Sequence, residues 1–362
     1  MERARNFNPG PAALPQAVLE KVQAELLNFA GTGMSILEVS HRSKDYEAVH
    51  NGAQALLREL LGIPQEYTIL FLGGGASLQF SMVPMNLLGP GVSADYIITG
   101  AWSQKAFKEA KLVGSPRVAA STEVDGKFTR IPKQEELQLD PHARYVHITS
   151  NNTIFGTQWQ SFPNTGQVPL VADMSSDFLW RPFDVKPFGL IYGGAQKNLG
   201  PAGVTLVIIR QDLLNLCRED MPIILRFKTH ASNNSLYNTA PVFAIYILKL
   251  VLEWIKERGG VAALERENRA KAQRIYGVID AFPAFYLAPV EKDSRSFMNA
   301  VFRLPNEELE ARFLEEAKAH KFVGLKGHRS VGGIRVSMYN YVERAWVEEL
   351  ASFMEDFAHR HV

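Results

Sequence analysis

Lys197 stands in the run Leu190-Ile191-Tyr192-Gly193-Gly194-Ala195-Gln196-Lys197-Asn198-Leu199-Gly200-Pro201. The apolar lead reads as a buried strand, and the Gly-Pro close behind reads as a tight turn. Lys197 therefore emerges from the core at a strand end, not on a solvated helix face. Upstream, Pro169-Leu170-Val171-Ala172-Asp173-Met174-Ser175-Ser176 is a second buried strand, ending in a carboxylate. A strand-end Asp followed one crossover later by a strand-end Lys suits pyridoxal phosphate. That cofactor needs an amine to hold its aldehyde as a Schiff base. It also needs an anion beside its pyridine nitrogen, to keep the nitrogen protonated and the ring an electron sink. Lys197 would be the first and Asp173 the second. On these two residues alone, a structural salt-bridge lysine and a turn aspartate are an equal alternative.

Other positions could serve the same chemistry. Gly73-Gly74-Gly75-Ala76-Ser77-Leu78-Gln79 follows a core strand and opens a helix. Glycines there let backbone N–H groups approach an anion, and the helix dipole adds to the attraction, so Ala76 and Ser77 are candidate phosphate donors. The run lacks the Lys-Ser/Thr of a Walker loop and the third spaced Gly of a dinucleotide fingerprint; a plain βα turn is the alternative. Trp102, just past the strand Tyr96–Thr99 and the pair Gly100-Ala101, either offers a flat face to an aromatic ring or is simply packed. In Ser150-Asn151-Asn152-Thr153, Thr153 could donate to a phenolic oxygen, although an Asx or Ser/Thr turn is the commoner use of such residues. Asn238-Thr239 stands before a long helix, and Thr239 by itself reads as its N-cap. His41-Arg42 and His328-Arg329 lie in Gly- or Ser-flanked loops, and Arg335 lies among apolar residues in Gly332-Gly333-Ile334-Arg335-Val336-Ser337. The arginine fork fits phosphate or carboxylate, and a buried arginine needs an anion. Ion pairing with Asp or Glu would explain one dipeptide; three arginines together favour an anionic substrate.

The elements that must position these residues alternate. Strands are expected at Tyr67–Leu72, Tyr96–Thr99, Arg117–Ala120, Tyr145–Thr149, Leu170–Asp173, Leu190–Tyr192 and Val204–Ile209, most of them separated by helix-length or long loop segments. This is the α/β pattern of a mostly parallel, doubly wound sheet with helices on both faces, which places ligands at the strand carboxyl ends. The last strand follows Lys197 too closely for a helical crossover, so it should run antiparallel. Before the sheet, residues 6–15 form an extended Pro/Gly-rich arm, followed by helices from Gln16 to Leu27 and from Asp45 to Leu61. After it, a helix opens at Thr239-Ala240-Pro241 and ends at Gly259-Gly260, and a second runs to Phe282. Strand Phe297–Leu304, helix Asn306–His320, strands Phe322–Leu325 and Ile334–Ser337, and helix Val342–His359 complete a small α+β domain. The expected division is an arm over 1–15, a large cofactor-binding domain over 16–259 and a small C-terminal domain over 260–362.

At 362 residues the chain is too long for one simple core. Apolar residues make up 46% and charged residues 21%, as in folded globular enzymes, so no long disordered region is expected. A net charge of +1 with interleaved signs argues against a general nucleic-acid binder but leaves room for basic pockets. The single cysteine, Cys217, excludes an intramolecular disulfide, fits a reducing compartment and reads as a packed residue on a helix-like segment, Leu213 to Arg218. The first residues carry no apolar signal region. The most apolar run, Val242 to Ile255, is interrupted by Lys249 and Glu253 and is too short for a bilayer. A cytoplasmic protein without a membrane partner is expected.

Taken in order, these motifs resemble the phosphoserine aminotransferases, class V members of the fold-type I pyridoxal-phosphate enzymes. The resemblance rests on Asn6-Phe7-Asn8-Pro9-Gly10-Pro11-Ala12, Glu38-Val39-Ser40-His41-Arg42-Ser43, Gly73-Gly74-Gly75-Ala76-Ser77, Gly100-Ala101-Trp102-Ser103 and Asn151-Asn152-Thr153-Ile154. It continues through Val171-Ala172-Asp173-Met174-Ser175-Ser176, Gly194 to Pro201, Gly327-His328-Arg329 and Gly333-Ile334-Arg335-Val336-Ser337. It implies a fold-type I transferase that converts 3-phosphohydroxypyruvate and glutamate to O-phosphoserine and 2-oxoglutarate in serine biosynthesis. It also allows a side activity on the longer 4-phosphohydroxy-threonine of pyridoxine synthesis. Lys197 would hold the cofactor and then shuttle the substrate proton, and Asp173 would pair with the ring nitrogen. Trp102 would stack on the ring, Thr153 would touch its hydroxyl, and Ala76, Ser77 and Gln196 would hold the phosphate. Asn238 and Thr239 would reach the phosphate in the neighbouring subunit, which makes the implied partner a second copy in a homodimer with shared sites. His41 and Arg42 of one subunit, with His328 and Arg329 of the other, would bind the substrate's phosphate or the γ-carboxylate of glutamate, and Arg335 its α-carboxylate. No metal is implied.

Rival readings each have a distinguishing sign. A cysteine desulfurase needs a nucleophilic loop cysteine. An aminotransferase for an uncharged substrate leaves His41, Arg42, His328 and Arg329 without a role. A nucleotide-binding α/β protein would use Gly73 to Ser77 for a nucleotide phosphate, with Lys197 structural, and would be colourless. A catalytically dead homologue would not need Lys197 and Asp173 together.

Overall fold

The computed structural model describes residues 3–362. Its central sheet has seven strands: β1 Tyr67–Leu72, β2 Ser93–Ile98, β3 Ser115–Ser121, β4 Val146–Thr149, β5 Leu170–Asp173, β6 Phe188–Gly194 and β7 Thr205–Arg210. In space they run β1-β7-β6-β5-β4-β2-β3. All are parallel except β7, which is antiparallel to both β6 and β1, as its close approach behind Lys197 requires. Strands β4, β5 and β6 are buried along their whole length. Both faces are covered, which is why these strands are apolar runs rather than alternating ones.

The covering helices are α1 Gln16–Glu25, α2 Lys44–Leu61, α3 Gly75–Leu87, α4 Ala101–Val113 and α5 Val242–Glu257. One face of the sheet (Ile69, Ile148, Leu170, Ala172, Ile191) packs against Leu57 of α2 and Leu248 of α5. The other face (Leu70, Tyr96, Val171, Leu190) packs against Phe80 and Val83 of α3 and Ala106 of α4. Successive strand residues point to opposite faces, so Asp173 shares the α3/α4 side with Val171.

Past α5, the chain forms α6 Gly260–Ala281, β8 Asn299–Phe302, α7 Glu307–Ala319, β9 Ile334–Ser337 and α8 Arg344–His361. Strands β8 and β9 pair antiparallel, and Phe302, Phe313, Val336, Leu350 and Phe357 build a second core. The arm reaches this core first. Arg5–Asn6 pairs parallel with Phe322–Val323, Phe7 is buried there, and then Ala12 N–H donates to Gln196 O at 2.8 Å. The arm thus crosses from the second core to the Lys197 turn.

Several boundaries differ from expectation. Helix α1 stops at Glu25, and Leu27, counted as one of its apolar positions, is 85% exposed. The strands expected at Phe297–Leu304 and Phe322–Leu325 shorten to Asn299–Phe302 and Phe322–Val323. Thr239 is not the N-cap of α5. The cap position is Pro241, without a side-chain cap, and Val242 N–H bonds to Ala240 O at 2.8 Å. A proline disfavours the helical region for the residue before it, so the helix cannot reach back to Thr239. Cys217 lies just beyond the short helix Gln211–Asn215, buried, with its thiol pushed up to about 12 by burial. Among the described residues no helix is long and apolar enough to cross a membrane.

One buried charge ties α6 to the second core. Lys271, 1% exposed, donates to Tyr339 O at 2.7 Å and Val342 O at 3.1 Å. Burial pulls its pKa down to about 7. From there up to the ordinary lysine value of ~10.4, the unfolded chain keeps a proton that the folded chain has released, so stability rises with pH. Below that window both states carry the proton and a penalty on the order of 4 kcal/mol stands in full. Denaturant unfolding followed from neutral to alkaline pH is expected to show this gain in the wild type and to lack it in Lys271→Met.

Candidate active site

The carboxyl ends of β1, β2, β4, β5 and β6 open on one cavity of about 370 Å³. Strand β6 delivers Lys197, and the turn is closed by Leu199 and Gly200 N–H groups donating to Ala195 O at 3.2 and 2.7 Å. Among the described residues the Lys197 Nζ makes no ion pair or hydrogen bond; it lies 5.5 Å from the centroid of the Trp102 ring. Burial pulls its pKa below the ordinary lysine value; Asp173 pulls it back up, and Arg335 adds to the fall.

Strand β5 delivers Asp173. Its Oδ1 accepts from Ser175 N–H at 3.0 Å and Ser175 Oγ at 2.6 Å, while Oδ2 accepts from no described residue. Burial raises its pKa, against the opposing pull of Lys197 and Ser175. Ser175 Oγ in turn accepts from Gly194 N–H at 3.1 Å, which locks the end of β5 to the end of β6. Behind it Asp177 accepts from Ser150 Oγ and, at 3.0 Å, from Gln158 Nε2; burial pushes its pKa up to about 6. Sequence reasoning missed Ser175 and Asp177. The only signal for them was their place beside Asp173 in a run of polar residues after a buried strand.

Helix α4 presents Trp102 in its first turn. Its Nε1–H donates to Thr153 Oγ1 at 3.1 Å, which leaves the Thr153 hydroxyl hydrogen free to donate. Lys105, also missed, lies one turn on, its Nζ 4.3 Å from the Trp102 ring centroid. Asn151 and Asn152 are structural: Asn152 Nδ2 donates to Thr99 Oγ1 and Thr157 Oγ1, both at 3.1 Å. A Cβ on Gly100 would come within 2.3 Å of Asn152 Oδ1, so only glycine fits ahead of Trp102.

Gly74 and Gly75 have φ of +81° and +66°, a left-handed pair that aims the start of α3 at the cavity. No side chain caps α3, so its first amides, including those of Ala76 and Ser77, are open to an anion. Gln196 also lines the cavity. Opposite, on β9, Arg335 is 6% exposed. One Nη donates to Thr153 O at 3.0 Å, Nε has no partner, and no carboxylate lies within ion-pair reach among the described residues. Burial lowers its pKa. His328 completes the wall. Its Nδ1 accepts from Ser330 N–H at 3.2 Å, which places the neutral ring's proton on Nε2. Burial, then Arg335, Arg329 and Lys105, lower its pKa.

Five expected residues lie outside this cavity. Asn238 and Thr239 line a separate one of about 340 Å³ behind Gly73. His41 is half-buried with an unpartnered Nε2, and Arg42 and Arg329 are exposed. Among the described residues none of Arg42, Arg329 and Arg335 pairs with a carboxylate, so the ion-pair alternative fails at all three.

The family model of class-V aminotransferases matches residues 5–350. The chain belongs to the class-V aminotransferases. It is 60% identical over 360 residues to the phosphoserine aminotransferase of Geobacillus kaustophilus, with 99% of each chain covered. The crystal structure of the phosphoserine aminotransferase from Bacillus circulans subsp. alkalophilus matches with a TM-score of 0.97 at 54% identity, covering 100% of both chains. The pyridoxal-phosphate-bound phosphoserine aminotransferase of Trichomonas vaginalis matches with a TM-score of 0.93 at 39% identity, covering 98% of this chain and 100% of that one. Membership of the class-V aminotransferases sets aside the nucleotide-binding reading of the glycine loop. A desulfurase reading fails on Cys217, which is buried far from thiolate chemistry. Among the described residues no cluster of His, Cys, Asp and Glu is placed to hold a metal ion.

Proposed function

We propose that this class-V aminotransferase binds pyridoxal phosphate in the cavity at Lys197 and moves an amino group between glutamate and 3-phosphohydroxypyruvate, giving 2-oxoglutarate and O-phosphoserine. The observation that carries the substrate class is Arg335, a buried guanidinium for which the protein supplies no anion. A substrate carboxylate supplies it.

The residues fit the cofactor. Asp173 keeps one oxygen unbonded toward the cavity, Lys197 is unpaired, Trp102 offers a ring face, and uncapped amides at the start of α3 suit a phosphate. Bound there, pyridoxal phosphate supplies an electron sink for the pair left when the substrate Cα loses its proton. Asp173, a buried carboxylate on the cavity wall, would keep the cofactor's ring nitrogen protonated. Lys197 Nζ accepts the Cα proton and returns it at the far end of the transfer, which requires the neutral amine. Burial and the charge of Arg335 both favour that form. Arg335 would fix the α-carboxylate, and His328, on the same cavity wall, would serve the distal anion. Phosphoserine and glutamate share an α-carboxylate and each carries a distal anion, phosphate in one and carboxylate in the other, so one pocket serves both halves of the cycle. The 4-phosphohydroxy-threonine of pyridoxine synthesis carries the same two groups and is the natural competitor in assays.

The partner in this reading is a second copy of the chain. Exposed large apolar side chains occur close in sequence to His41-Arg42 (Met34 and Leu37) and to Asn238-Thr239 (Tyr237), and Ile224, also exposed, lines the same cavity as Asn238 and Thr239. Such clusters suit an interface, and a homodimer would carry His41, Arg42, Asn238 and Thr239 to the neighbouring site. The division into lobes over 16–259 and 260–362 and a cytoplasmic location complete the proposal.

The test is the visible absorbance of purified protein loaded with pyridoxal phosphate. The band is expected to bleach with phosphoserine and to persist with alanine. A band indifferent to phosphoserine would discard the substrate. No band at all would remove Lys197 from its role.

A further inference from the structure

Three consecutive residues just past β9 hold both flanks of Lys197. On one flank, Tyr339 Oη donates to Pro9 O at 2.8 Å and fixes the arm. The next arm residue, Gly10, lies so close that a Cβ there would stand 3.1 Å from Lys197 Cγ. On the other flank, Asn340 and Tyr341 converge on Asn198, the residue after Lys197. Asn340 N–H donates to Asn198 Oδ1 at 3.1 Å, and Asn340 Nδ2 to Asn198 O at 3.3 Å. Tyr341 Oη donates to the same carbonyl at 2.8 Å.

Asn340 is oriented in turn. Its Oδ1 accepts from Asn268 Nδ2 at 2.8 Å, and its Nδ2 also donates to Phe178 O at 3.2 Å. Lys271 holds the carbonyls of Tyr339 and Val342. Asn198, Asn268 and Asn340 are all buried, so each donor or acceptor that lost its partner would be left without water. Of the three amides only the Asn268 Oδ1 lacks a partner among the described residues. The other end of the segment is Arg335, and between them Met338 N–H is pinned to Met298 O at 2.7 Å.

We propose that Asn340 is a positioning residue, which through Asn198 sets the place of Lys197. The half-reaction readout used below rests on the function proposed above; the positioning of Lys197 does not. Three hydrogen bonds tie the Lys197 turn to the segment that follows β9.

Wild type, Asn340→Ala and Tyr341→Phe are compared as full-length protein. Amine labelling of Lys197 by trinitrobenzenesulfonate, followed against pH by peptide mass, reads the lysine without cofactor or substrate. Asn340→Ala is expected to raise the labelling midpoint toward the ordinary lysine value, because a loosened turn lets the amine reach water. In the holoenzyme, the maximal rate of the first half-reaction with glutamate should fall about 10-fold, the scale set by small displacements of a reacting group. The apparent Kd for glutamate should stay within about threefold. Tyr341→Phe removes one oxygen only, and should shift both readouts the same way by less; it carries the test if Asn340→Ala folds poorly. Unchanged midpoint and rate in both variants, or a weakened Kd with the rate intact, overturns the proposal. A wild-type holoenzyme inert to glutamate would instead overturn the function, while the labelling midpoint still decides whether Asn340 positions Lys197.

Discussion

Replacing Lys197 by alanine is expected to lower turnover with phosphoserine by about 10⁴-fold, the upper range for a positioned acid–base group. Two losses combine. The cofactor loses the amine that holds it, and the substrate Cα loses the group that takes and returns its proton. Asp173 does not replace it, because its Oδ1 is tied to Ser175. Small primary amines added to the variant should restore part of the rate, since they fit the space the side chain leaves. Stopped-flow absorbance of the reconstituted variant with phosphoserine measures both. Retention of a tenth of wild-type activity would sink the role given to Lys197.

Arg335→Met is expected to act in opposite directions on activity and stability. The free protein buries a guanidinium without an anion, and replacing an unmatched buried charge with an apolar side chain of similar length stabilises by roughly 1–3 kcal/mol. One hydrogen bond to Thr153 O is lost, which takes back about 1 kcal/mol. The substrate meanwhile loses its charged partner, a loss of roughly 3–4 kcal/mol, or about 10²–10³-fold in kcat/KM. Denaturant titration and steady-state kinetics on the same preparation check the pair. A variant that is both less active and less stable would place Arg335 in the architecture rather than in the pocket.

The sheet is legible in the sequence because strands buried on both faces are short apolar runs closed by turn residues. Tyr67–Leu72 and Leu170–Asp173 fall where expected to the residue. Leu190–Tyr192 grows to Phe188–Gly194, since hydrogen bonds to β5 and β7 extend pairing through glycines that have no strand preference of their own. Thr239 misleads because a local cap preference yields to Pro241. In the site, Lys197, Asp173, Trp102 and the glycine loop are legible since each sits at a strand end beside a change in residue type. Arg335 is legible as a charge inside an apolar stretch. Asn340 and Asp177 are not, because their partners, Asn198 and Asn268 for one and Ser150 and Gln158 for the other, come from distant parts of the chain. In the homodimer proposed above, His41, Arg42, Asn238 and Thr239 would act in the neighbouring site, an arrangement that one sequence does not display.

The antiparallel strand β7 also governs birth of the molecule on the ribosome. Strand β1 is the first of the sheet to be made, yet its only neighbour is β7, with Tyr67 opposite Arg210. At roughly 5–20 residues per second, the ~130 residues between them take on the order of 10 s to emerge. For that interval Tyr67-Thr68-Ile69-Leu70-Phe71-Leu72, a hexapeptide with no charge and no proline, stands as a bare edge. Such a segment is a template for pairing between nascent chains. Yield in a cell should therefore depend on chaperone supply and translation speed across the β1-to-β7 interval, more than on the stability of the finished enzyme.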